Sequence, residues 1–232
     1  MSGQDIIESV FGWVGTIISI FFYIAPVAPF LKVLKEQMTY KDSPGILLIC
    51  SFMNCILWAD YGLAKNTTQV YVANSLGSTI TLMWITIYLI YLGKKSFCLA
   101  FSLNILLLVL IAAISYIFYF IVDVYITGLI AMVFNVLMYA APGEKIIQVI
   151  KTGKYELIPI FSSIGGIACS LCWFIFGIYQ NDKNIIIPNG LGLIFAFLQI
   201  VVYLIYYCKR NNKNDKNNKE FSHENINEKE KS

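Results

Sequence analysis

Two asparagines and two tryptophans recur at one fixed spacing inside long apolar stretches of the chain. Asn74 follows Trp58 by 16 residues, and Asn189 follows Trp173 by the same 16 residues. An amide buried in hydrocarbon costs free energy unless it finds a partner, and each one offers two N–H donors and a carbonyl acceptor. Amides beside flat indole faces suit a neutral, hydroxyl-rich ring, whose hydroxyl groups bind the amides and whose C–H faces lie on the indoles.

Polar residues in membrane helices can also serve only to hold helices together, and glycine allows their backbones to approach closely. For Gly77 and Gly192 we favour this packing role. For the asparagine and tryptophan pairs we favour a binding site, because packing contacts alone need not recur at equivalent depth beside an aromatic ring.

The pairs belong to a longer internal repeat. A shift of 115 residues places one member of each pair on the other: Pro44 on Pro159, Trp58 on Trp173, Gly62 on Gly177, Asn74 on Asn189 and Gly77 on Gly192. One residue of slippage in the preceding loop places Ala25-Pro26 on Ala141-Pro142. The chain therefore holds two copies of one unit.

The elements that must carry these residues are membrane helices. The chain has 232 residues, of which 58% are hydrophobic and 13% charged, which is too apolar for a soluble domain. Seven runs have the roughly 20 apolar residues that a membrane helix needs: about 10–31, 45–64, 69–92, 98–119, 124–147, 159–179 and 185–208.

We predict an all-α membrane protein in which two parallel three-helix bundles are joined by a linker helix (3+1+3). An odd number of crossings in each copy, with one run between the copies, makes both copies point the same way. The predicted parts are an extracellular N-terminus (1–9), a first repeat (10–92), the linker helix (97–120), a second repeat (124–208) and a disordered cytoplasmic tail (209–232).

The lysines predict the orientation. With the N-terminus outside, the inner loops and the tail contain 15 of the 17 Lys and Arg residues, and only Lys65 and Lys183 lie outside. The positive-inside rule therefore places the N-terminus outside and the C-terminus in the cytoplasm.

Further positions could line the same space between the repeats. Asn54 and Cys169 precede the tryptophans by one turn on the same face, and the first helix of each copy adds Ser19 with Asn135 and Phe22 with Met138. The bulk of Phe22 and Met138 favours a small cavity, although core packing explains these residues about as well.

Four prolines lie towards the inner side. Pro44 and Pro159 begin helices, where proline is tolerated, whereas Pro26 and Pro142 lie inside apolar runs and should kink them. All four could act as hinges of an inner gate. In the more restricted interpretation, only Pro26 and Pro142 are hinges, and Pro44 and Pro159 only begin helices.

The sequence resembles the SWEET sugar transporter family. The resemblance rests on APVAPFLKVLKE, NCILWADYGL and YVANSLG in the first copy, and on AAPGEKIIQVIKTGKYELIPIF, CWFIFG and IPNGLGL in the second. It implies two triple-helix bundles with a linker helix, the parallel repeat already known for this family, and a sugar that moves passively between them by alternating access.

The resemblance also implies roles for individual residues. The sugar would bind Asn74, Asn189, Trp58 and Trp173, and the proline set would be Pro26, Pro44, Pro142 and Pro159. Tyr61 and Asp182 would close an outer gate. Residues larger than serine at positions 54 and 169 imply a monosaccharide, and the family likeness implies a homo-oligomer.

Two other functions stay open at this stage. Asp60, an acidic residue inside an apolar run, could relay protons in a coupled carrier of the related PQ-loop kind, although the second copy has Ile175 at the matching position. A seven-helix receptor would share the predicted orientation.

Several classes of function and partner are not expected. We expect no enzyme, because the apolar runs hold no paired carboxylates and no nucleophile beside a base. The six cysteines lie in or at the ends of apolar runs and the only histidine, His223, is in the tail, so we expect no metal and no cofactor. We expect no nucleic-acid partner, and we expect the plasma membrane rather than an internal one.

Overall fold

The computed structural model describes the backbone of residues 3–25, 45–91 and 97–229, apart from the side chains of 45–47, 91, 97, 140–141 and 213–229. This part of the chain is almost entirely helical. The α-helices are α1 (Gly3–Ile24), α2 (Gly45–Ala64), α3 (Thr68–Tyr91), α4 (Phe97–Phe120), α5 (Val124–Met138), α6 (Ala140–Thr152), α7 (Ile160–Tyr179) and α8 (Lys183–Lys229). A short 3-10 helix, Tyr155–Leu157, precedes α7.

Six apolar segments in the described chain are long enough to cross a bilayer, with α5 and α6 forming one of them across Val124–Thr152. The apolar part of α2 that is described, Leu48–Ala64, is shorter. With α2, the described residues contain seven apolar segments in the predicted 3+1+3 order.

The chain divides into two compact units. The first contains residues 1–139 and 168–192, and the second contains residues 140–167 and 193–232. The sequence-predicted binding residues lie in the first unit, so its internal packing decides the geometry of the candidate site.

The two helical hairpins of the first unit are closed by the same turn. The N–H of Asn66 donates to the Leu63 carbonyl and the N–H of Thr67 donates to that of Gly62. At the matching positions Asn181 donates to Ile178 and Asp182 donates to Gly177. Both asparagines have left-handed backbones, with φ of 56° and 50°, as the last residue before the bend requires in this type of helix end. The two copies therefore share the same backbone hydrogen bonds in their turns.

The two copies are joined by reciprocal contacts at glycines. A Cβ on Gly12 of α1 would lie 2.9 Å from the Phe176 ring of α7. A Cβ on Gly128 of α5 would lie 2.5 Å from the Tyr61 ring of α2. Each copy thus packs its first helix onto the second helix of the other copy, as expected for a pseudo-two-fold axis, and glycine at these positions makes the close approach possible.

The linker helix packs onto the first repeat. Helix α4 lies against α2 and α3, and a buried amide supports this contact. Asn104 Nδ2 donates to Thr86 Oγ1 of α3 at 2.9 Å and to the Ala100 carbonyl of its own helix at 2.9 Å. Such interhelical hydrogen bonds are a usual means of joining membrane helices.

Two boundaries differ from the sequence prediction or refine it. Helix α1 begins at Gly3 rather than near residue 10; the carboxylates of Asp5 and Glu8 suit the positive N-terminal end of a helix. The fifth run is interrupted at Tyr139, because Pro142 has no N–H to donate to the carbonyl of Met138, four residues before it.

Helix α8 continues to Lys229, through most of the segment 209–232 for which the sequence analysis predicts disorder; the disorder stays a prediction. Neither glycine nor proline occurs between Lys209 and Lys229. Adding residues to an existing helix costs much less than nucleating one, so the membrane helix extends into this polar segment.

The second unit has an aromatic cluster on α8. The ring of Tyr155 packs edge-on against Tyr203 at 5.2 Å and Tyr207 at 5.4 Å. Arg210 lies over the Tyr155 ring at 5.6 Å and pairs with Glu156. These contacts hold the 3-10 helix against α8.

Candidate functional site

The two predicted asparagines make the same bond in their own helices. Asn74 Nδ2 donates to the Val70 carbonyl at 2.9 Å, and Asn189 Nδ2 donates to the Ile185 carbonyl at 2.8 Å. This bond to the carbonyl four residues earlier fixes the plane of each amide. Each amide retains a second N–H, which leaves a donor for a ligand.

The two predicted tryptophans lie in one apolar cluster. Trp58 is 6% exposed and Trp173 is 9% exposed, and both pack in a core that also contains Tyr61 and Phe176. Trp58 meets Tyr61 edge-on at 5.5 Å, and Trp173 meets Phe176 edge-on at 5.5 Å. The indoles therefore face the interior of the first unit rather than lipid.

The asparagines and tryptophans lie at matching depth. Each tryptophan is six residues from the end of its helix at the turn, and each asparagine is six residues from the start of the next. At about 1.5 Å of rise per residue, all four lie roughly 9 Å from the hairpin turns. The repeat thus produces one layer of amides and indoles.

Two other predicted residues, Ser19 and Cys169, adjoin this layer in direct contact. Trp173 Nε1 donates to Ser19 Oγ at 3.0 Å. The same hydroxyl lies 3.4 Å from Cys169 Sγ. Helix α1 therefore contributes a polar atom beside the indole of the other copy.

The remaining predicted lining residues are less defined. Asn54 is buried, and its Oδ1 atom has no hydrogen-bond partner among the described residues. A buried carbonyl in this state is an acceptor that a ligand hydroxyl could satisfy. Phe22, Asn135 and Met138 are each half-buried, and the structure describes no hydrogen bond that draws them to the layer.

Two tyrosines that the sequence analysis did not identify support the layer. Tyr23 Oη donates to Asn74 Oδ1 at 3.3 Å, and Tyr139 Oη donates to the Pro188 carbonyl at 2.7 Å. A Cβ on Gly77 would lie 2.5 Å from the Tyr23 ring, and one on Gly192 would lie 2.6 Å from the Tyr139 hydroxyl. The packing role predicted for both glycines agrees with these contacts. A shift of 116 residues relates the tyrosines, so the repeat could have identified them.

Tyr61 and Asp182 meet at the turn end of this layer. Tyr61 Oη donates to Asp182 Oδ2 at 2.5 Å, and Lys65 Nζ lies 3.7 Å from the same carboxylate oxygen. The backbone N–H of Asn184 donates to Asp182 Oδ1 at 3.0 Å. Tyr61 is 1% exposed, so this contact and the aromatic cluster close the turn end of the first unit.

Lys65 and Asn184 were not predicted as members of this contact. Lys65 lies one turn after Tyr61, and its Nζ is also 5.9 Å from the centre of the Tyr61 ring. Asn184 Nδ2 lies 3.4 Å from the Tyr125 carbonyl, to which it donates. A charged residue one helical turn from a predicted gate tyrosine was the signal that could have identified Lys65.

The structure describes two of the four predicted hinge prolines. Pro142 lies just after the interruption between α5 and α6, and Gln199 Nε2 donates to its carbonyl at 3.4 Å. Pro159 directly precedes α7, and its carbonyl accepts from the N–H of Ser163 at 3.1 Å. Pro26 and Pro44 lie outside the described residues. The hinge roles of all four stay predictions.

Asp60 lies apart from the layer. It is half-buried on α2, beside the side chain of Ser115 on α4, and its Oδ2 atom has no hydrogen-bond partner in the described chain. Ser115 belongs to the linker helix, and Asp60 is not among the residues of the cluster that contains the two indoles.

The layer offers hydrogen-bonding amides and aromatic faces. Amide donors and acceptors next to indole faces can exchange hydrogen bonds with a hydroxyl-rich molecule. Among the described residues, no group of three or more His, Cys, Asp and Glu is placed to hold a metal ion.

Comparison with known proteins gives a consistent result. The pattern of the family described as "Sugar efflux transporter for intercellular exchange" matches residues 9–96 and 125–211. The bidirectional sugar transporter SWEET7b of Oryza sativa subsp. japonica is 32% identical over 231 residues, covering 94% of this chain and 84% of that protein. The bidirectional sugar transporter SWEET1 of Arabidopsis thaliana is 31% identical over 210 residues, covering 88% and 85%.

A solved structure of a eukaryotic SWEET transporter has the same fold. It superposes with a TM-score of 0.78 at 25% identity, over 89% of this chain and 100% of that one. The two segments matched by the family pattern leave out all of α4, which fits a duplicated unit with a separate linker.

Proposed function

This chain belongs to the SWEET family of sugar efflux transporters, and on that premise we propose that it is a passive, bidirectional sugar uniporter working by alternating access. The observation that carries the proposal is the duplicated layer of Asn74, Asn189, Trp58 and Trp173. Each half presents an amide locked by its own helix and an indole turned inward, at the same depth.

The closed turn end supports an alternating mechanism. Sugar can enter from that side only when Tyr61 separates from Asp182 and the aromatic cluster parts. A hydrogen bond to a charged group contributes about 1.5–3 kcal/mol, so breaking it leaves an open state that is populated at less than about ten per cent. A minor state of this size can exchange sugar while the closed state prevails.

The flux needs no energy source in this mechanism. As the sugar enters, its hydroxyl groups replace hydrogen bonds to water with hydrogen bonds to the asparagine amides. As it leaves, the hydrogen bonds to water form again. Because the ligand is neutral and the layer holds no charged side chain, the net direction follows the sugar gradient alone.

We propose a monosaccharide as the substrate. Asn54 and Cys169 each precede a tryptophan by one turn and are larger than serine, and Phe22 and Met138 add bulk to the first helix of each copy. Cys169 already contacts Ser19 beside the Trp173 indole. These side chains support a cavity for a single ring rather than for a disaccharide.

We also propose that the turn end is extracellular, with the N-terminus outside and the C-terminus in the cytoplasm. The distribution of lysine and arginine supports it. In this orientation Tyr61 and Asp182 form the outer gate, and the four prolines are hinges towards the inner side. The family likeness supports a homo-oligomer in the plasma membrane.

The test of the function is uptake of radiolabelled hexose and sucrose into cells that lack their own sugar transporters. We expect hexose uptake that saturates, exceeds sucrose uptake, and is unchanged by a protonophore. Preloaded cells should release hexose by the same route. Expressed protein that carries neither sugar would contradict the proposal.

A proton-coupled carrier is the second candidate, because Asp60 has a buried carboxylate oxygen to which no described residue donates a hydrogen bond. We expect Asp60→Asn to retain most of the hexose uptake, since the carboxylate lies beside Ser115 of α4 and outside the binding layer. Uptake measured in a pH gradient, with and without a protonophore, checks this. Strict dependence on the carboxylate, together with protonophore sensitivity, would replace the uniporter by the coupled carrier.

A further inference from the structure

A pocket that opens to the surface lies beside the Tyr61–Asp182 contact. Its volume is about 220 Å³. Three turns of the first unit form it, and its lining residues are Tyr61, Lys65, Val124, Tyr125, Asn181, Asp182, Lys183 and Asn184. The volume is several times the roughly 30 Å³ share of one water molecule and below the ~300 Å³ at which sites for drug-sized ligands begin. A single sugar ring is a ligand of this intermediate size.

The lining repeats the chemistry of the deep layer. Tyr125 is 62% exposed, so its ring offers a free aromatic face. Asn181 and Lys183 are exposed, and Asn184 supplies a second amide. Aromatic faces, amides and ammonium groups together can take the C–H face and the hydroxyl groups of a sugar.

Lys65 connects this pocket to the gate. Its Nζ is paired with Asp182 Oδ2 at 3.7 Å, while its side chain stays 44% exposed. An ammonium has three N–H donors, so Lys65 can bind a hydroxyl group and the carboxylate together. A ligand in the pocket would therefore touch a residue that already holds the closing contact.

The repeat does not require such a pocket. The position equivalent to Asp182 is Thr67, whose hydroxyl donates to the Gly62 carbonyl at 3.2 Å. The position equivalent to Lys65 is Gln180, whose Nε2 donates to Glu8 Oε1 at 2.5 Å. At the equivalent positions the described residues hold a threonine and a glutamine in place of the aspartate and the lysine, so the Lys65–Asp182 pair is not a product of the repeat.

We propose that this pocket is an entry subsite, where a monosaccharide rests on Tyr125 and on Lys65, Asn181 and Lys183 before the Tyr61–Asp182 contact opens. The inference rests on the proposed sugar transport and on the extracellular position of this end. The subsite holds the sugar next to the closed gate. When the gate opens, the bound sugar therefore reaches the deep layer sooner than a sugar from solution.

Sugar binding to the pocket is tested in a variant whose deep layer of amides has been removed. The double variant Asn74→Ala/Asn189→Ala, in nanodiscs free of glycolipid, is mixed with millimolar glucose and examined by saturation-transfer difference NMR. We expect the sugar signal to persist in this variant and to be lost when Tyr125→Ala is added. Tyr116→Ala is the matched control, since Tyr116 is 61% exposed on α4 and does not line the pocket.

Flux gives a second readout. In the otherwise unchanged chain, we expect Tyr125→Ala to lower hexose permeability at low concentration about threefold to fivefold, the size of one aromatic contact. A passive carrier must show the same factor in influx and efflux. Tyr116→Ala should leave both unchanged.

The failures are distinguishable. A wild-type chain that carries no sugar would overturn the proposed function itself. A wild-type chain that transports hexose, while the double variant gives no sugar signal or one indifferent to Tyr125→Ala, would overturn the entry subsite and leave the function standing.

Discussion

Asn74→Ala and Asn189→Ala should each remove most of the hexose flux while the protein is still made and inserted. Each amide is held by a bond to its own helix, so its remaining donor and acceptor are fixed in place before sugar arrives. Removing one leaves a sugar hydroxyl without a partner in a buried space, which costs about 1–3 kcal/mol and lowers the flux roughly tenfold to a hundredfold. Labelled hexose uptake, normalised to the protein in the membrane, measures the loss.

Asn104→Ala is the matched control for these variants. Asn104 is also a buried membrane amide that donates to the carbonyl four residues earlier, and it bonds Thr86 of α3 as well. It lies between the linker and the first repeat, away from the indoles. We expect near-normal uptake from it. If both site variants kept near-normal uptake too, the paired amides would only hold helices together.

Gly62→Ala should destabilise the folded protein strongly. A Cβ there would lie 2.6 Å from the backbone nitrogen of Tyr71 and 3.1 Å from its Cα. Backbone atoms cannot rotate away, so α2 and α3 would have to separate at the turn that closes their hairpin. Overpacking of this kind costs about 1–3 kcal/mol or more, and at this chain length it lowers the unfolding midpoint by on the order of 5–10 °C.

Two further glycines give a graded control. A Cβ on Gly177, the equivalent position, would meet the Ile186 side chain at 3.0 Å and backbone at 3.1 Å, whereas one on Gly166 would meet only Ala196 at 3.7 Å. Thermal unfolding in detergent should therefore rank Gly62→Ala as the most damaging and Gly166→Ala as the least. Equal midpoints for all three would show that the hairpin turn tolerates a methyl group.

Much of the fold was accessible from the sequence because the hydrophobic runs are long and the repeat is regular. The shift of 115 residues identified Asn74 with Asn189 and Trp58 with Trp173, and the structure buries or half-buries all four at one depth. The interruption near Pro142 followed from the missing N–H alone. These features depend on local chemistry, which a sequence displays directly.

Other features depended on how helices turn against one another. The bond from Tyr23 to Asn74 requires the rotation of α1, and the pairing of Lys65 with Asp182 requires two turns from different copies to meet. Neither can be deduced from spacing within one helix. The tail was judged by its polar composition, whereas the uninterrupted helix leading into it determined its backbone.

The reciprocal docking at Gly12 and Gly128 bears on the role of the covalent connection between the copies. Each first helix lies against the second helix of the other copy, so the union consists of two equivalent non-covalent seams. The peptide connection keeps the two copies close to each other, and the two seams determine how the copies fit together. A gene interrupted between α3 and α4 would still encode both partners of each seam, and its two products would carry the complementary surfaces needed to reunite in one bilayer.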